Sequence, residues 1–252
     1  MLTADLIEFF HANGYLAIER LMPDDEVVWM REIYDRLFAE RAGWETGDQF
    51  DLAGTDEEGK EAVLPQILGP AKYAPELRDS RLWANAAEVV RDLLGPEAAF
   101  GDGHMIFKPP RTGAETPWHQ DEAYWDPSLD YTSLSIWVPL QEATVANGCM
   151  GFVPGSHRLE VLPHQSVGGD VRVHALEVLG ADVSRAVMCP LPAGGATFHL
   201  SRTLHYAGPN TTDIPRRAYI LSGGLAATPR NDGRRFPWNE AKQTARAKRA
   251  GE

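Results

Sequence analysis

The stretch 133-SLSIWVPL-140 alternates with a period of two. Leu134, Ile136 and Val138 fall on one face, and Ser133, Ser135 and Trp137 on the other, which is the signature of a strand with one buried face. Comparable short apolar runs surround it from about residue 98 onward, parted by Gly, Pro and Asn. They are 98-AAFGDGHMIFKPP-110, 148-GCMGFVPGSH-157, 185-RAVMCPLPAG-194, 195-GATFHLSR-202 and 216-RRAYILSGGL-225. Each reads as a strand bounded by turns. Working back toward the start, the texture becomes helical. Thr3 suits an N-cap for a helix that Asn13-Gly14 ends. The run 22-MPDDEVVWMREIYDRLFAERAG-43 has Pro23 and three acids at its positive end, an apolar stripe of Val27, Met30, Ile33, Tyr34 and Leu37, and Gly43 to close it. A third helix is expected over residues 85–95. Helices first and strands later predict an α+β fold with a β-sandwich or barrel core. The 252 residues read as one domain, with a helical part over about 1–97, a β core over about 98–225 and a basic tail over about 238–252. The tail is expected to be solvated, and the polar loop 56–61 mobile.

Composition narrows the function. The chain carries a formal net charge of -12, which disfavours nucleic acid as a partner because phosphate is repelled. Two cysteines make no disulfide framework, so buried free thiols and a reducing cytoplasm are expected. No apolar run reaches membrane-spanning length. Nothing in the chain demands a partner protein, so a monomer or weak homodimer is the expectation.

The chemistry lies in 116-TPWHQDEAYW-125. Residues two apart on a strand point the same way, so His119 and Asp121 can present an imidazole and a carboxylate to one point. A second histidine would complete the two-His-one-carboxylate face that leaves positions open on ferrous iron. Seven other histidines are available. His11 falls in the first helix, His157 in a turn, and His164 and His174 in a polar connection where exposed loop residues are expected. His104 lies on the first long strand. His199 and His205 both sit near a strand end, and this reading leaves the choice between them open.

Three ordered motifs settle that choice by resemblance: His119-Gln120-Asp121, 147-NGCMGFVPGSH-157 and 204-LHYAGPNTTDIPRR-217. Together they resemble the phytanoyl-CoA dioxygenase family of Fe(II)/2-oxoglutarate oxygenases, over roughly Ala98 to Leu225. The resemblance implies a double-stranded β-helix, a cupin-like jelly roll flanked by N-terminal helices. It implies Fe(II), 2-oxoglutarate and dioxygen as cofactor and cosubstrates, with His119, Asp121 and His205 as catalytic metal ligands and His199 as a packed or hydrogen-bonded neighbour. It also implies an arginine for the cosubstrate. Arg216 has the matching offset from His205, and a carboxylate wants a permanently charged bidentate partner; Arg217 then becomes a salt-bridge residue on the other face. Trp137 matches a tryptophan beside the cosubstrate, and Ser135, pointing the same way, is expected to donate to it. Where members often carry serine two residues past the metal histidine, this chain has Ala207. His104 replaces a frequent methionine and is expected at the substrate. Gln66 and Lys108 resemble positions at the pocket mouth. Trp118, Tyr124 and Trp125 are expected to wall the pocket. The implied activity is hydroxylation or related oxidation of a small organic molecule, such as a natural-product intermediate. An acyl-CoA ester is less expected, because Lys108, Arg111 and Arg158 are scattered. Asp121 argues against halogenation, where a small residue makes room for halide. The alternatives are a jelly-roll protein that only binds a ligand, and a cupin isomerase or sugar-binding protein, neither of which needs Arg216.

Overall fold

The computed structural model describes residues 2–57 and 59–251. Glu58, in the polar loop expected to be mobile, lies outside the described residues. Helix α1 (Ala4–Asn13) starts at Thr3, whose hydroxyl accepts from the Leu6 amide, and ends at Gly14, whose φ of 81° is open to glycine at little cost. Helix α2 (Asp24–Ala39) stops one turn short of Gly43. Helix α3 (Arg81–Leu94) starts earlier than expected, because Ser80 caps it through the Trp83 amide.

The region expected to be helical also supplies three strands, β1 (Tyr15–Ile18), β2 (Gln49–Asp51) and β3 (Pro65–Leu68). The long β4 (Ala99–Lys108) follows, then β5 (Thr116–His119), β6 (Leu129–Asp130), β7 (Ser133–Pro139) and β8 (Met150–Phe152). Next come β9 (His164–Ser166), β10 (Leu176–Val178) and β11 (Val187–Cys189), and then β12 (Ala196–Leu200), β13 (His205–Ala207), β14 (Arg216–Gly224) and β15 (Thr228–Pro229). The major sheet has the order β1-β12-β7-β14-β4-β3-β2, and the minor sheet the order β11-β8-β13-β5. The pairings are antiparallel, and β9/β10 and β6/β15 form two further ribbons. This is a jelly roll, as expected.

The alternation in β7 organises the packing. Leu134, Ile136 and Val138 join Phe198, Tyr219 and Leu221 in a core closed by Phe10, Met30, Tyr34, Leu82, Val90 and Leu93 from the three helices. Burying each large apolar side chain contributes roughly 1.5–3 kcal/mol. Trp137 faces the other way, into a second core with Ile106, Ala218 and Ile220 of the major sheet and Met150, Phe152 and Ala207 of the minor one. Cys149 and Cys189 are free and buried there, as composition led us to expect.

One irregularity aims a site residue. The β4–β14 register shifts so that Ile220 faces His104 and Leu221 faces Asp102, leaving Gly103 as the extra residue. A Cβ on Gly103 would stand 2.5 Å from the Ile220 carbonyl oxygen, so glycine is needed at this close approach. The bulge lets Asp102 accept from the Tyr219 hydroxyl and the Ala71 amide while His104 looks into the cavity between the sheets.

The basic end is not a solvated tail. Helices α4 (Pro237–Glu240) and α5 (Ala245–Ala250) fold back onto the domain. Trp238 Nε1 and Asn239 Nδ2 both donate to the Ala123 carbonyl at 2.8 Å. Arg249 donates to the Trp44 and Gln49 carbonyls and pairs with Asp56. Aromatic rings and unfilled carbonyls hold this segment down, and composition alone does not reveal them.

Candidate active site

His119 closes β5, and Asp121 opens a 3₁₀ turn over Asp121–Tyr124. The two are therefore not on one continuous strand as expected. Gln120 between them stays extended, with φ -120° and ψ 131°, so the two side chains still converge. His205 opens β13 directly opposite His119. One donor atom from each of His119, Asp121 and His205 lies within 4.8 Å of the others. Asp121 Oδ1 is 3.7 Å from His119 Nε2 and 3.4 Å from His205 Nε2.

The ring nitrogens are sorted by the backbone. His119 Nδ1 faces the Pro117 carbonyl at 2.7 Å, and His205 Nδ1 faces the Thr203 carbonyl at 2.9 Å. A carbonyl only accepts, so each Nδ1 carries the proton and each Nε2 turns a lone pair inward. Burial and the neighbouring His205 push the His119 imidazole down, which keeps it neutral. Burial pushes the Asp121 carboxyl up, but His205, His119 and His199 outweigh it and hold it well below the usual carboxylate range. Two lone pairs and a carboxylate around one point are a donor set for a divalent transition metal.

Behind this cluster lies a small cavity of about 60 Å³. Arg216 faces it, 1 % exposed, with only a 3.4 Å contact to the Ile106 carbonyl. Its Nε has no partner, and no ion pair to Arg216 occurs among the described residues. Burial, partly offset by Tyr34 and Cys149, pushes the guanidinium down to about 10, and the Trp137 ring lies 5.4 Å beneath it. Buried charges are ordinarily paired, so this cavity is built for an anion. Arg217 turns outward and pairs with Asp35. Ala207 lines the cavity without a hydroxyl. Across the sheet, however, its pairing partner Thr116 offers a buried, unpartnered Oγ1 to the same space. Reading along the chain missed Thr116, because only the β13–β5 register brings it there.

A second cavity of about 330 Å³ opens on the other side of the cluster. Gln66, His104, Tyr124, Trp125 and His174 line it. Burial pushes His104 down to about 4, so its imidazole is neutral. A larger hollow of about 490 Å³ beside Trp44 and the polar loop shares no lining residue with these two.

The family model for phytanoyl-CoA dioxygenase matches residues 10–218, most of the chain. The chain belongs to the phytanoyl-CoA dioxygenase family. It is 28 % identical over 221 residues to a probable alpha-ketoglutarate-dependent hypophosphite dioxygenase of Stutzerimonas stutzeri, covering 85 % of this chain and 76 % of that one. Among solved structures it is similar to EvdO2 of Micromonospora carbonacea var. aurantiaca in complex with 2-oxoglutarate. The identity is 40 %, the TM-score 0.81, and the match covers 94 % of this chain and 97 % of that one. It is also similar to the non-heme alpha ketoglutarate dependent epimerase SnoN from nogalamycin biosynthesis. There the identity is 25 %, the TM-score 0.69, and coverage 92 % of this chain and 87 % of the other.

Several expected site residues move within this family frame. Lys108 is not at the pocket mouth. It is fully buried and donates to the Ala207 and Gly208 carbonyls, tying β4 to the end of β13. The Ser135 hydroxyl is already engaged, 2.6 Å from Asp121 Oδ2. Trp118 stacks on Tyr206, with centroids 5.2 Å apart, and lines neither site cavity. His164 is not an exposed loop residue. It is 4 % exposed and accepts from the Gln120 amide at 3.2 Å, while its Nδ1 faces the Leu162 carbonyl. The Gln120 side chain donates to the Arg202 carbonyl and accepts from the Leu162 amide, so the residue between the two metal-facing groups is held at both ends. His174, half-buried, stacks on Tyr124 with centroids 5.7 Å apart. Local composition hid both histidines, because their partners come from distant segments.

Proposed function

We propose that this chain is an Fe(II)- and 2-oxoglutarate-dependent oxygenase that oxidises a small, uncharged organic molecule. The observation that carries the reading is Arg216, a buried guanidinium without an anion, set behind three converging metal-binding side chains. His119, Asp121 and His205 would hold the iron. Arg216, with Thr116 and Trp137 beside it, would hold the distal carboxylate of 2-oxoglutarate. Bound there, the iron and cosubstrate supply oxygen activation, with succinate and carbon dioxide released. The protein's own residues do the rest. Arg216 neutralises the cosubstrate, the Nδ1–H bonds of His119 and His205 keep both lone pairs aimed, and the walls of Tyr124 and Trp125 keep water away. His104 and Gln66 offer neutral hydrogen-bonding groups to the substrate.

Among the described residues, no lysine or arginine lines the substrate cavity, and the sole carboxylate there is Asp121. A nucleotide diphosphate would find no counter-charge there, which speaks against a CoA ester. Likeness to SnoN, whose structure is also known with nogalamycin RO, supports a natural-product intermediate. The retained triad and Arg216 support turnover over mere ligand binding. We take the protein to act as a monomer or weak homodimer in the cytoplasm, without nucleic acid or membrane. Anaerobic addition of Fe(II) and 2-oxoglutarate should give a weak visible charge-transfer band that His205→Ala abolishes. Folded protein without the band would overturn the reading.

A further inference from the structure

Besides His119, Asp121 and His205, a further imidazole is sealed into the site. His199, on β12, is 2 % exposed, and neither of its ring nitrogens has a hydrogen-bond partner. A buried polar group left unpaired is costly, and native chains rarely keep one without use. The ring packs against His205, with centroids 4.2 Å apart, and against Phe152 at 5.3 Å. Its Nε2 stands 3.3 Å from Asp121 Oδ2, within reach but off the angle of a hydrogen bond.

The two oxygens of Asp121 have different company. Oδ1 faces His119 and His205. Oδ2 lies against the Ser135 hydroxyl at 2.6 Å and His199 at 3.3 Å. The backbone distinguishes the three histidines too. His119 and His205 spend their Nδ1–H on a carbonyl two residues upstream, which leaves Nε2 as a lone pair. His199 has no such carbonyl, so its Nε2 is free to carry the proton and donate it.

We propose that His199 is a positioning residue for the metal carboxylate: with Ser135 it grips the outer oxygen of Asp121, so that Oδ1 alone is presented between His119 and His205. One carboxylate oxygen on the iron leaves a coordination position open, whereas two would fill it. With the carboxylate bound to a metal, His199 Nε2 would donate to Oδ2 across this contact. The inference rests on the iron site proposed above, and the test separates the two.

The test is an anaerobic Fe(II) titration of the full-length chain with saturating 2-oxoglutarate, read by the visible charge-transfer band. His199→Phe keeps the ring and removes both nitrogens. It should weaken Fe(II) binding by about ten- to a hundredfold and shift the band maximum. The melting temperature of the metal-free protein should stay level or rise, because an unpartnered polar group has gone. His199→Gln, which restores an N–H donor, should recover affinity and band position toward the natural values. Ser135→Ala should move both in the same direction as His199→Phe, and it keeps the test open should the latter not fold. Natural iron affinity and an unmoved band in His199→Phe would make His199 a packing residue and overturn the proposal. So would a loss that tracks a fall in melting temperature and is not recovered by glutamine. If the natural chain shows no band, or His205→Ala retains it, the iron site itself fails and this role falls with it.

Discussion

Arg216 is where one side chain decides the chemistry. Removing one partner of a buried charge pair costs about 2–5 kcal/mol, roughly thirtyfold to several thousandfold in affinity. Arg216→Met should therefore nearly abolish 2-oxoglutarate binding in an anaerobic titration. The same variant should leave the metal-free protein at least as stable to urea, since it takes away an uncompensated buried charge of matching volume. Thr116 makes a smaller contribution. Thr116→Val removes one hydroxyl donor to a carboxylate and should weaken 2-oxoglutarate binding roughly tenfold, in line with about 1.5 kcal/mol for such a bond. An unchanged 2-oxoglutarate affinity in Thr116→Val would place Thr116 outside the cosubstrate cradle.

The 3₁₀ turn Asp121–Tyr124 is the element on which the site depends. Glu122 is fully buried and pairs with Arg234 at 2.8 Å and Arg202 at 3.2 Å, while Ser201 donates to it. Glu122→Ala removes the fully buried carboxylate that Arg202 and Arg234 share and should destabilise the protein by about 3 kcal/mol in a denaturant melt. It should also weaken iron binding, because Asp121 begins the same turn. Glu160 touches the same arginines from an exposed position, so Glu160→Ala should stay within about 1 kcal/mol of the natural chain. How much of this was legible follows the range of the interactions. Strand β7 could be read because alternation is local and each face has one use. His119, Asp121, His205 and Arg216 could be named because three motifs recur in order. The turn itself, the burial of His164 against Gln120 and the arrival of Thr116 opposite Ala207 all depend on segments far apart along the chain. Lys108 misled for the same reason: a lysine reads as exposed until the carbonyls that receive it are known.

At the scale of the molecule, the C-terminal segment backs Tyr124, a residue of the substrate cavity's wall. Lys242 lies over the Tyr124 ring, 4.6 Å from its centroid, on a residue that also stacks with His174. Burial, with Arg246 adding to it, pushes the Lys242 ammonium down to about 7. Its unfolded value is near 10.4. Between those limits the unfolded chain holds a proton that the folded one releases, so stability rises with pH across that window. Lys242→Met should be the more stable form at pH 7, and its advantage should shrink as the pH approaches 10. Parallel urea melts of the two proteins at several pH values check this. Deleting residues 237–252 should lower the melting temperature, yet leave 2-oxoglutarate affinity unchanged, because Arg216, Thr116 and Trp137 do not touch the segment.

The strand order of the major sheet has a consequence for how this protein is born. Its edge strand β1 pairs with β12, residue 15 opposite residue 199, and β4 lies between β14 and β3. On a ribosome adding about 5–20 residues per second, the first strand waits roughly ten to forty seconds for its neighbour. Until β14 emerges, β7 and β4 have no strand to join them, and the apolar faces of the three helices have no sheet to cover them. The sheet of such a chain closes only after most of it has been made. Slower translation of the second half should raise the aggregated fraction in a cell-free synthesis, whereas slower translation of the first half should leave it unchanged.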